Sequence, residues 1–248
     1  MISWKKFVKA REKFRRAVKE LELSLPGLKR LQQKLVDDRG GASYRIETPV
    51  VYNSALDDVT ADDDIKLILV ADNPGRREQA AENRRYLIGP SGKIAGKFFL
   101  NNPSLGVDFL KNVIILNKTP IHTPRTLELR KLCGLEKNQK IALALEESQS
   151  IMASLLLEFQ QALCCPVWIT GYSEMKKGGI FETYTKRLKE LLEKKEKKSS
   201  VFLFRHFSMN QFTIDLKKKS QKTETVEESL ARIGAFYRQR IIDGFKED

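Results

Sequence analysis

Asp72, Asn73, Asn117 and His206 are the side chains in this sequence best suited to chemistry, and each follows a short apolar run. A carboxylate accepts a proton or steadies positive charge. An amide offers both an acceptor and donors. An imidazole N–H donates to a developing anion. The run Lys66-Leu67-Ile68-Leu69-Val70-Ala71 delivers Asp72-Asn73-Pro74-Gly75, and its core predicts a buried strand that breaks at the Asn-Pro-Gly turn. In the same way Val113–Leu116 delivers Asn117, Pro166–Thr170 delivers Gly171, and Val201–Arg205 delivers His206. Ligands of open α/β sheets sit at the carboxyl ends of the strands. Asp72, Asn73, Asn117 and His206 are therefore expected along one rim. Successive strand residues face opposite ways, so Asp72 and Asn73 share a pocket only if the strand has already turned.

The elements that must position these residues follow from periodicity. Segments of helical period separate the four apolar runs, the pattern of a four-stranded parallel sheet flanked by helices in a three-layer α/β sandwich. Residues 1–38 read as helix, with Trp4, Phe7, Val8, Phe14, Val18, Leu21 and Leu25 at three- and four-residue steps. Pro26-Gly27 breaks it, Leu28, Leu31 and Leu35 form a second stripe, and Gly40-Gly41 closes the segment. The division expected is a helical extension over 1–41 packed on one α/β domain over 42–248. The basic face of the extension is either solvated or an arm touching phosphates. Residues 42–64 read as a polar loop, and its aspartates, Asp57 to Asp64, as a surface turn, because a calcium loop's glycine and distal glutamate are missing. A helix is expected near Lys93, entered through Ser91-Gly92, and another over 141–163. A third helix fades into Lys194–Lys198, Lys217–Lys222 reads as a basic loop, and Val226–Phe245 as a closing helix with Leu230, Ile233, Tyr237 and Ile241 inward. His122, between Pro120 and Pro124, is expected on the surface.

Composition narrows the class. A hydrophobic fraction of 41% fills an ordinary core, and no run approaches the roughly 18 apolar residues of a membrane span. The N-terminus lacks a continuous apolar signal core. Cys133, Cys164 and Cys165 give no C-x-x-C spacing, so buried reduced thiols of a cytoplasmic protein are expected rather than a disulfide framework or a metal cluster. The net charge of +13 suggests a polyanionic partner.

Residues 65–215 resemble the uracil-DNA glycosylase superfamily. Ala71-Asp72-Asn73-Pro74-Gly75 is similar to its first motif, G-x-N-P-G or G-E-x-P-G. Tyr86-Leu87-Ile88-Gly89-Pro90-Ser91-Gly92-Lys93 resembles the P-F-V-G-x-A-G-K segment of the iron–sulfur type. Asn117 ends a strand where these enzymes place a base-reading asparagine. Ile169-Thr170-Gly171-Tyr172-Ser173 resembles the strand ending in W-G-x-x-A, and His206-Phe207-Ser208 resembles H-P-S. Ala71 replaces a glycine, Phe207 a proline, and Leu87 the phenylalanine that stacks on the base, a role open to neighbouring Tyr86. The cluster cysteines are missing, so no metal and no cofactor are expected.

The resemblance implies a DNA glycosylase that flips out uracil, or a related deaminated base, and hydrolyses its N-glycosidic bond in base-excision repair. Asn73 would place the water and Asp72 would accept its proton or steady the sugar cation. His206 would stabilise the departing oxyanion. Asn117, Tyr86, Leu87 and Gly75 would hold the base. Met209 and Phe212 would wedge or stack against DNA or else pack within their own loop, while Arg76, Lys118 and Lys176 would touch phosphates. The expected protein is a monomer acting on single- or double-stranded DNA, cytoplasmic and nucleoid-associated. Two alternatives stand beside this one: a glycosylase-fold nucleic-acid binder without catalysis, and a nucleosidase acting on free nucleosides.

Overall fold

The computed structural model describes residues 3–39, 43–135, 139–194 and 200–244. Four strands, β1 (Leu67–Ala71), β2 (Val113–Asn117), β3 (Val167–Thr170) and β4 (Val201–Phe204), form one all-parallel sheet in the order β2-β1-β3-β4. All but Phe202 of their residues are buried, as expected of a sheet covered on both faces. The register sets Leu69 beside Ile115 and Trp168, Trp168 beside Phe202, and Ala71 beside Asn117. The helices are α1 (Trp4–Ser24), α2 (Leu28–Asp37), α3 (Pro90–Leu100), α4 (Glu128–Gly134), α5 (Lys140–Leu163), α6 (Glu182–Glu193), α7 (Gln211–Lys219) and α8 (Val226–Arg238). The architecture is thus an α/β sheet flanked by helices, in the manner of a three-layer sandwich.

Aromatic packing fixes one face. Trp168 stacks on Phe99 of α3 at 5.5 Å and on Phe212 of α7 at 6.0 Å. Phe98, Phe204 and Phe207 close the same cluster around Phe212. Helix α8 crosses β4 at Gly234, where a Cβ would come within 2.7 Å of Phe202 and Phe204. The other layer joins α1, α5 and α6. Phe7 meets Phe159 edge-on at 5.5 Å, and Ser3 N–H donates to Ala162 O at 2.8 Å. The α1 stripe follows its spacing, with Phe7, Phe14, Val18 and Leu21 buried.

Several expectations need correction. Helix α3 begins at Pro90 rather than near Lys93, because proline at the first helical position gives up an N–H that would be orphaned there. Lys217–Lys219 are not loop but the last turn of α7, where cations suit the carbonyl end of the helix dipole. The closing α-helix stops at Arg238 and continues as a π-helical turn over Gln239–Asp243. Phe245, Gly40-Gly41 and most of the Lys194–Lys198 run lie outside the described residues. Only Cys165 is fully buried, and Cys164 is exposed. The aspartates are surface ion-pair partners: Asp57 of Arg15, Asp58 of Arg85, Asp64 of Lys66. Among the described residues no helix is long and apolar enough to cross a membrane.

Candidate active site

Strand β1 ends at Ala71, so the backbone has already turned at Asp72 and Asn73. Both therefore reach one cavity of about 580 Å³ at the carboxyl end of the sheet. His206, two residues beyond β4, lines it from the other side, and Leu87 and Ser91 from the entrance to α3. Adjacent side chains that would diverge within a strand converge because the strand stops one residue earlier.

Asn73 is fixed by its amide nitrogen, which donates to Thr123 Oγ1 at 2.9 Å. What it can offer a water in the cavity is the carbonyl oxygen. His206 Nδ1 accepts the Ser208 N–H at 3.0 Å, which puts the ring proton on Nε2. Burial holds its pKa below 6.5, opposed by the charge of Asp72 and reinforced by Lys118. The ring is therefore neutral at pH 7, with an Nε2–H to donate.

Asp72 is committed elsewhere. Lys118 Nζ donates to its Oδ1 at 2.5 Å and to Thr170 O at 2.5 Å, and Thr126 Oγ1 donates to Oδ2 at 3.3 Å. Gly171 makes room for the pair. Its φ is +80°, and a Cβ there would lie 2.5 Å from Asp72 Oδ1. Both oxygens of the carboxylate are therefore engaged by partners within the fold.

Three expected roles are overturned by burial. Lys118 has no exposed surface and packs beneath Phe181, so it touches no phosphate. Desolvation lowers its pKa against the pull of Asp72. Phe212 is the centre of the aromatic cluster on the sheet and meets no DNA. Tyr86 donates its hydroxyl to Val51 O at 2.5 Å and packs near Phe14, outside the cavity lining, so it stacks on no ligand there. Leu87 takes the wall alone, with φ +55°, a left-handed conformation that is costly for leucine. Gly92 permits it, since a Cβ there would strike Leu87 O at 1.5 Å.

Asn117 is placed otherwise. It is 1% exposed, does not line the cavity, and shares a sheet face with its register partner Ala71, which does. Neither atom of its amide has a hydrogen-bond partner. Gly75 and Arg76 line the cavity, whereas Lys176 is exposed and lies outside the lining. Met209 is 77% exposed in the turn after His206, and both it and Asn210 are left-handed, at φ 52° and 56°.

The site also holds residues that sequence reasoning missed. Glu78 is buried in the cavity wall. Its carboxylate accepts the Gly75 N–H at 2.9 Å, and burial pushes its pKa up to about 7, against hydrogen bonds from the Gly89, Leu87 and Ile88 backbone. It thereby ties the Asn-Pro-Gly turn to the Leu87 loop. A Gly-x-x-Glu spacing, like a capping box, was its only signal. His122 is fully buried rather than on the surface. Its Nδ1–H donates to Pro74 O at 2.8 Å, and Tyr44 Oη donates to Nε2 at 3.0 Å. Burial lowers its pKa to about 4. Arg39, Arg77 and Arg125 join Arg76 around the cavity. Among the described residues no group of three or more His, Cys, Asp or Glu is placed to hold a metal ion. No protein-family model matches this chain, and no curated protein matches it.

Proposed function

We propose that this protein is a DNA glycosylase that removes uracil, or a related deaminated base, by hydrolysing the N-glycosidic bond. The observation that carries the reading is the convergence of Asn73 and a neutral, Nε2-protonated His206 in one cavity at the sheet's carboxyl end. The leaving base needs a donor for its developing oxyanion, and a buried neutral imidazole supplies one without bringing a net charge. The reaction also needs an oriented water, and the Asn73 carbonyl supplies an acceptor. An amide is a poor base, so turnover is slow. Asp72, held by Lys118, stabilises the sugar's positive charge. The unpaired amide of Asn117, beside Ala71 in the sheet, has the donors and acceptor that match a uracil edge. Four arginines around the mouth suit a phosphate backbone. Met209, exposed in the turn after His206, has the apolar side chain that a duplex wedge needs.

The test is base release. Labelled oligonucleotides carrying one uracil, single- and double-stranded, are incubated with excess protein and cleaved with alkali at abasic sites. Cleavage is expected, falling roughly a hundredfold or more in His206→Ala, the usual scale for losing an oxyanion donor, and also in Asn73→Ala. The reading fails if uracil, hypoxanthine and xanthine all stay attached after long incubation. The engagement of Asp72 by Lys118 and Thr126 favours one second reading, a non-catalytic binder of the same fold. DNA bound in a salt-dependent way without base release would select it.

A further inference from the structure

The cavity mouth carries an aromatic ring whose place in the fold lies outside the segment that resembles the glycosylases. Tyr44 lines the cavity with Arg39, both contributed by the chain that precedes β1. Its hydroxyl is spent on His122 Nε2, itself fully buried. The ring is thus pinned at its tip, and what it can offer a ligand is its face and edge. The Arg76 guanidinium lies over that ring, 4.8 Å from the centroid. Arg76 is exposed and lines the same mouth.

We propose that Tyr44 and Arg76 form a stacking platform for an unpaired nucleobase at the cavity mouth, so that the N-terminal segment is part of the binding site. Resting on the base-excision reading, this deepens it by naming the residues that hold a base where Leu87 supplies no ring and Tyr86 is turned into the core. A pinned aromatic ring and a guanidinium plane are the two surfaces on which unpaired bases stack. The apolar lining residues Val36, Ala71, Leu87, Pro90 and Pro124 give contact without a π face. The arginines nearby bring the backbone in without choosing a base.

The chemistry separates ring from hydroxyl. Tyr44→Phe and Tyr44→Leu leave His122 Nε2 equally without its donor. The further loss in Tyr44→Leu is that of the ring and its contacts with Arg76 and His122, and thermal melting verifies that both variants are folded at the assay temperature. Only Tyr44→Leu removes the π face. The probe is a short single-stranded thymidine oligonucleotide containing one uracil, with affinity read by fluorescence anisotropy on the full chain. Tyr44→Leu is expected to bind roughly ten- to a hundredfold more weakly than Tyr44→Phe, the scale for losing one stacked base. Its salt dependence is unchanged, because no phosphate contact is removed, whereas Arg76→Ala shows a shallower salt slope as well. Equal affinity of the Phe and Leu variants overturns the platform, as does failure of the native protein to bind the strand. Native protein that binds with this Tyr44 dependence yet releases no base would sink the glycosylase reading and leave the platform standing. Base release with the Phe and Leu variants indistinguishable in affinity would do the reverse.

Discussion

Glu78 and His122 should conceal each other's effect on stability, and Glu78→Gln should expose it. Burial raises the Glu78 pKa from 4.5 to about 7 and lowers that of His122 from 6.5 to about 4. Glu78 holds its proton more tightly when folded. Its contribution is full below about pH 4.5 and is lost as pH rises toward 7. His122 takes its proton more readily when unfolded. Its contribution is full above about pH 6.5 and is lost as pH falls toward 4. Each displacement covers about 2.5 on the pH scale, or about 3 kcal/mol at about 1.4 kcal/mol per pH unit. Between pH 4.5 and 6.5 the two slopes oppose, so they leave the native protein's stability nearly flat. Glu78→Gln keeps the shape and an acceptor for Gly75 N–H but removes the titration. The variant should gain about 3 kcal/mol relative to native protein between pH 4 and pH 8. His206, also shifted downward, adds to the acid-side loss in both proteins and cancels in the comparison. Urea unfolding at pH steps across that range measures the difference directly. A difference that is the same at pH 4 and pH 8 would refute the buried, proton-holding Glu78.

Other perturbations follow from the same geometry. Lys118→Met leaves Asp72 buried without its partner and should cost about 3–5 kcal/mol in urea unfolding, much of it recovered in the Lys118→Met/Asp72→Asn double variant. Gly92→Ala drives a Cβ into Leu87 O and should lower stability by about 3 kcal/mol or more, seen as a reduced Tm. Phe212→Ala should cost about 3–5 kcal/mol through the aromatic cluster, with DNA affinity of the folded fraction unchanged. Met209→Ala, at an exposed position, should alter stability by less than about 0.5 kcal/mol while slowing base release from duplex more than from single strands. Base release should hold its rate down to about pH 6.5 and fall only below it, because the donor is neutral His206 with a lowered pKa. A fall centred above pH 6.5 would count against that assignment.

What the sequence made legible was set by range. Each buried strand is a local apolar run, and the end of β1 at Ala71 is written in the Asn-Pro-Gly that follows it, so the sheet and the convergence of Asp72, Asn73 and His206 could be read in advance. The failures are partners, which are not local. Lys118 looks like any strand-end cation until Asp72, 46 residues away, comes to lie 2.5 Å from it. Burial then turns a phosphate contact into an internal counter-ion. Glu78 hides in a charged stretch that reads as solvent-facing, yet one glycine N–H three residues back and a loop ten residues on bring it into the wall. His122 and Tyr44 are separated by 78 residues, and their hydrogen bond converts a residue of an apparent surface loop into the brace of the Asn73–Pro74 turn. The same contact brings the N-terminal segment to the cavity. Resemblance to a motif picks out cavity-lining residues such as Asp72, Asn73 and His206. The residues that hold them are chosen by contacts across the fold, where spacing along the chain carries little information. Tyr44 belongs to the second group by its hydrogen bond to His122.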